Sequence, residues 1–200
     1  MANYNAIKYD GFSKGSTTLI KTLTASSSAT LSFVDGTSDV VLDSTYKEYL
    51  FIFNNIHPSA TSGNPVLSFQ GNAAGGSGYN ETMTTTFFTA AHNESDSDAG
   101  PLEYDAGYDL AQGTTFQRLT RNTGNQNDEC WSGYLHLFNP SSTTFVKHFT
   151  AVTQSLQQNE YSNHCHIAGY FNTTSAIDEI QFKMESGNID AGDICLYGIN

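Results

Sequence analysis

Apolar and polar residues alternate in twos along much of this chain, most clearly near the C-terminus. In residues 176–200, Ile180, Phe182 and Met184 alternate with Gln181, Lys183 and Glu185, the period of a strand with one buried and one wet face. Gly187-Asn188 and Ala191-Gly192-Asp193 then predict a loop, with Ile189 tucked back onto the core. Ile194 and Leu196 resume the alternation up to Tyr197-Gly198-Ile199. An apolar strand in this position has to be paired inside a sheet, since a frayed edge would expose it. The stretch is read as the closing strand of a β-sandwich.

The same pattern recurs upstream in shorter pieces. Residues 16–24 and 29–34 predict two strands around Ala25-Ser26-Ser27-Ser28. Residues 46–54 are the most apolar segment, with neither face polar, which predicts a central strand covered on both faces and ended by His57-Pro58. Further strands are expected over 65–70, 81–89, 114–120, 131–138, 143–155 and 164–171. Asn139-Pro140-Ser141-Ser142 supplies a hairpin loop. Residues 92–113 read as a long acidic excursion without regular pattern, of the kind that binds a ligand or packs on a neighbour. Residues 1–15 are polar and aperiodic, an N-terminal arm expected to contact neighbouring subunits. Residues 16–200 are then one domain: an all-β, jelly-roll-like antiparallel β-sandwich of about ten strands with long loops.

Composition narrows the function classes. Only 14% of the 200 residues are charged, with 17 Gly, 11 Tyr and 13 Phe, which suits twisted strands and many turns. The net charge of −12 opposes counterion-release binding to nucleic acid and attraction to anionic membranes. No apolar run reaches the ~20 residues of a membrane-spanning helix, and the first residues lack the pattern of a signal peptide. Cys130, Cys165 and Cys195 share no metal-like spacing and read as free thiols from a reducing cytoplasm.

The ending from Ile180 to Ile199 fits I-x-F-x-x-x-S-G-N-I-x-A-G-x-I-x-L-Y-G-I. With the block from Tyr134 to Phe149 and Gly169-Tyr170-Phe171-Asn172-Thr173-Thr174-Ser175-Ala176, it resembles structural modules of tailed phages found on capsid surfaces and tail fibres. The resemblance implies a β-sandwich made in a bacterial host's cytoplasm and carried on the virion surface. Its first expected role is capsid decoration (cement), as a homotrimer contacting the major capsid protein or other virion proteins. The alternative is a tail-fibre or receptor-binding module recognising host-surface glycans.

Candidate chemistry is sparse. His164-Cys165-His166 would place two imidazoles on one strand face, able to share a metal, but neither the acid nor the second His motif of a cupin follows. Carboxylates between Glu94 and Asp105 alternate as in calcium loops, with Gly and the last ligand out of place for an EF-hand. Asp128-Glu129 and Asp178-Glu179 offer carboxylate pairs, with no spacing that selects either for glycoside hydrolysis. There is no nucleophile elbow and no phosphate-binding glycine loop. No metal, cofactor or catalytic residue is assigned, and the chain is read as a non-enzyme. Tyr104, Tyr108, Trp131 and Tyr161 lie in or near loops and are the candidate contacts for a glycan or partner, because such rings stack on sugar faces.

Overall fold

The computed structural model describes residues 16–63 and 65–200, so the N-terminal arm expected over residues 1–15 lies outside the described residues. Strand formation follows the alternation. In β11 (Ile177–Met184), Ile177, Ile180, Phe182 and Met184 are buried while Gln181 and Lys183 are half-buried. The other strands are β1 (Thr17–Thr24), β2 (Leu31–Val34), β3 (Glu48–Pro58), β4 (Leu67–Ala73), β5 (Met83–Asn93) and β6 (Ala99–Tyr104). They continue with β7 (Gln117–Arg118), β8 (Trp131–Phe138), β9 (Lys147–Gln157), β10 (Tyr161–Phe171) and β12 (Ile189–Ile199).

These twelve strands form two antiparallel sheets, ordered β1-β12-β3-β8-β9-β10-β5-β6 and β2-β11-β4-β7. With β5, β6, β9 and β10 set aside, the remaining strands run first-last-third-sixth against second-seventh-fourth-fifth, the double Greek key of a jelly roll. The four others extend the larger sheet past its partner. As the sequence predicts, β12 is interior, paired with β1 and β3. Gly187-Asn188 forms the expected loop before it, whereas Ala191-Gly192-Asp193 belongs to its bulged first part, with register shifts on either side of Ala191. Gly192 sits at φ 104°, where a Cβ would lie 2.5 Å from Asn55 O, so the bulge requires glycine.

The core is aromatic. Phe182 packs against Phe51 and Phe53, each with ring centroids 5.4 Å away, and against Phe33 at 6.2 Å. Mostly edge-to-face geometry suits the ring quadrupoles. Beyond the cover of the smaller sheet, the inner face of the larger one turns polar: Thr85, Thr89, Thr153, Ser155 and Asn163 are all buried. Residues 105–130 pack there, mostly irregular backbone whose N–H and C=O groups need partners. Thr153 Oγ1 donates to Leu119 O (2.6 Å), and Leu110 N donates to Thr85 Oγ1 (2.8 Å).

Two expectations need correction. The acidic excursion over residues 92–113 contains β6, an edge strand paired with β5. All its residues are exposed, so burial imposes no alternation on it. The strand expected over residues 46–54, observed as β3, is covered on one face only: Tyr49, Phe51 and Phe53 are buried, while Leu50 and Ile52 stay half-exposed on the outer face. That face is continuous. Successive cross-strand partners Thr22, Cys195, Ile52, Tyr134, Val152, His166, Phe88 and Tyr104 cross the eight strands in one row.

Candidate binding site

Three of the four tyrosine and tryptophan candidates come together around the β5–β6 hairpin and the segment that follows it. The Tyr108 ring backs onto Phe87, with centroids 5.1 Å apart, and the guanidinium carbons of Arg118 and Arg121 lie 4.5 and 5.4 Å from its centre. Burial pushes the Tyr108 hydroxyl above its ordinary pKa, against the pull of the two guanidinium groups. Tyr104, 47% exposed, packs edge-on to Phe88 at 5.3 Å and donates its hydroxyl to Asp109. Tyr161 donates to Asp98 Oδ2 at 2.8 Å. In both, donation to a carboxylate raises the phenol pKa.

Trp131 does not belong with them. It is 1% exposed, edge-on to Phe53 at 5.6 Å, so neither ring face is open to a ligand. It begins β8 with its side chain in phase with inward-facing Leu135 and Leu137.

Two recesses flank Arg121 and Tyr108. The larger, about 590 Å3, is lined by Tyr108, Asp109, Phe116, Arg118, Lys183 and Glu185. Arg118 Nε meets Glu185 Oε1 at 2.7 Å, and Arg118 Nη1 donates to Gly107 O at 3.1 Å. The Lys183 ammonium lies 4.0 Å above the Phe116 ring. Since cations already cover these rings, this groove offers charge and hydrogen bonds more than a free stacking face. The smaller recess, about 210 Å3, lies between β5, β6 and β10 and includes Tyr161, Asp98, Arg121 and Asn163. Arg121 pairs with Asp105 and, at 3.7 Å, with Glu103.

The metal candidates stand apart from these recesses. His164 and His166 share the outer sheet face with ring centroids 4.6 Å apart. Among the described residues, no group of three or more His, Cys, Asp or Glu could hold a metal ion. The carboxylates between Glu94 and Asp105 are dispersed: Asp96 meets His92 Nε2 at 3.1 Å, Asp98 holds Tyr161, and Asp105 holds Arg121. Of the carboxylate pairs, Glu129 is buried and accepts from Gln126 N at 2.6 Å. Asp178 lies on β11, with burial raising its pKa.

Sequence reasoning missed Arg118, Arg121 and Asn163. For Asn163 the signal was present, because it lies in phase with Cys165 and Ile167 and so faces inward. Compared with protein-family models, curated proteins and solved structures, the chain matches none.

Proposed function

We propose that this chain is a structural protein of a tailed-phage virion surface, acting by adhesion as a capsid decoration protein. It would form a homotrimer and hold to the major capsid protein. The observation that carries the reading is the outer face of the eight-stranded sheet. Leu50, Ile52 and Val152 lie half-exposed there around Tyr134, which is 41% exposed, and Phe88, 39% exposed, follows on the far side of His166. Contiguous apolar surface of this kind serves as an interaction surface, and symmetry multiplies modest contacts into a stable shell. The C-terminal resemblance supports the virion setting. The test is composition and assembly. Mass spectrometry of whole virions should find the protein near the copy number of the major capsid protein, or a simple fraction of it. Purified protein should be a trimer that raises the heat resistance of empty heads, and the Ile52→Lys/Val152→Lys variant should fold but lose both properties. Fibre-like copy number overturns the reading.

A second reading, a tail-fibre or receptor-binding module gripping host glycans, is favoured by a separate observation. Tyr108 and Tyr161 each line one of the two recesses, and Tyr104 reaches the rim of the larger one through its bond to Asp109. Adhesion of purified protein to host cells, blocked by host polysaccharide, would support it.

A further inference from the structure

We infer that the smaller recess, between the β5–β6 hairpin and β10, binds one neutral sugar ring at the end of a saccharide chain. The inference rests on the glycan-gripping reading and gives it a place; the decoration reading stands or falls separately. The recess measures about 210 Å3, the liquid volume of about seven waters, which admits a single ring.

Asn163, 1% exposed, lines the recess. Its Oδ1 accepts from Thr89 Oγ1 and from Cys165 Sγ, both at 3.1 Å. Its Nδ2 has no partner among the described residues. Turning the amide over only exchanges the two atoms, and one polar atom is still left over. A buried amide group is costly to leave unpaired, so it calls for a ligand or an ordered water that a ligand displaces.

The walls supply the other contacts that a sugar uses. Tyr161 and Pro101 present apolar surface for the C–H face of a pyranose, while Asp98 and Glu103 accept hydroxyl hydrogens and Arg121 donates to ring and hydroxyl oxygens. Charge selects against an acidic sugar. The guanidinium is already committed to Glu103 and Asp105, Asp98 adds a further carboxylate, and the whole chain carries −12. A ligand carboxylate would enter a repulsive field that a hydroxyl-rich neutral ring does not feel.

The test titrates the full chain with methyl glycosides of glucose, galactose, mannose and N-acetylglucosamine. Glucuronate and N-acetylneuraminate serve as acidic comparisons, and binding is read by saturation-transfer NMR and calorimetry. At least one neutral glycoside should bind saturably in roughly the millimolar range or tighter, with both acidic sugars at least about tenfold weaker. Asp98→Asn should weaken binding about tenfold. Ala91→Met, which fills the recess from its β5 wall, should abolish it, with circular dichroism and melting unchanged in both variants. Wild-type affinity in folded Ala91→Met, or saturable binding of acidic sugars alone, overturns the site. So does the absence of saturable binding by every neutral glycoside at about 50 mM. If host-cell adhesion survives that result, only this site is lost; if adhesion is absent too, the glycan-gripping reading falls with it.

Discussion

Thr85 Oγ1 donates to Gln117 Oε1 across 2.6 Å, both residues being buried, and the same hydroxyl accepts from Leu110 N at 2.8 Å. One side chain thus ties an inward-facing strand to the irregular backbone packed on it. Gln117 continues the link by donating to Tyr108 O at 2.9 Å, which fixes the segment carrying Tyr108, Arg118 and Arg121. The jelly roll positions the candidate site through this polar layer, where the larger sheet outruns the smaller one.

Thr85→Val keeps the shape and removes the hydroxyl, leaving a buried carbonyl oxygen and a backbone N–H unpaired. The expected loss is about 2–4 kcal/mol in urea denaturation. Thr86, next along β5, points outward, so Thr86→Val should stay within about 0.5 kcal/mol. Equal effects at the two positions would contradict the assignment of the polar layer.

Phe182 is the packing hub of the two sheets. Its ring neighbours come from β2, β3 and β4, with Phe69 on β4 at 6.3 Å. Phe182→Ala should cost about 3–5 kcal/mol, a large share of a typical stability of ~5–15 kcal/mol. Chemical denaturation followed by Trp131 fluorescence reads this directly, since Trp131 packs against Phe53, itself a neighbour of Phe182.

What could be read in the sequence is what burial on one face enforces. The alternation over Ile180, Phe182 and Met184 places β11, and the expected strand over residues 131–138 coincides with β8. β6 escaped because a wholly exposed edge has no alternation to show. The strand expected over residues 114–120 shrinks to Gln117–Arg118, since the carbonyls of Thr114 and Thr115 are held by the Gln70 side chain of β4 and that of Leu119 by Thr153 of β9. Trp131 adjoins a loop in the sequence, whereas its parity with Leu135 and Leu137 puts it inside. That Tyr161 meets Asp98 of the β5–β6 hairpin could not be read at all, because it depends on β10 pairing with β5 across about seventy residues of intervening chain. Such long-range pairings are set by the whole topology.

The three cysteines differ in access, and their reactivity should follow. Cys165 is buried and burial pushes its thiol pKa up, while Cys130 and Cys195 are half-buried. All three are free thiols. In native protein a thiol reagent should modify Cys130 and Cys195 and spare Cys165, because the thiolate is the reacting form and needs access. In denaturant without reductant all three should titrate, and reductant alone should leave the melting temperature unchanged. A native titration of three thiols at equal rates would show that β10 is less well packed than described.

The histidine pair on β10 gives the fold a pH dependence with a defined sign. His164 is held below its ordinary pKa of 6.5, first by burial and then by the positive charge of His166. Its cross-strand neighbours are Gln154 on β9 and Ala90 on β5, so neither flanking position supplies a carboxylate to offset the charge. The unfolded chain therefore takes up this proton at a higher pH than the folded one. Where the unfolded state binds more protons, stability rises with pH. The contribution of His164 is fully present above pH 6.5 and is lost as pH falls from there through the lower folded value. Asp178 acts oppositely: burial and the adjacent Glu179 raise its pKa above 3.8, so the folded state binds its proton first, and the penalty grows as the pH rises from 3.8 through that raised value and is complete above it. Two variants separate them. His164→Gln should flatten the decline in melting temperature below pH 6.5 and leave neutral-pH stability nearly unchanged. Asp178→Asn should raise stability at pH 7, with the gain fading as the pH approaches 3.8. A His164→Gln profile that falls as steeply as the wild type between pH 6.5 and 5 would mean that other groups carry the acid sensitivity.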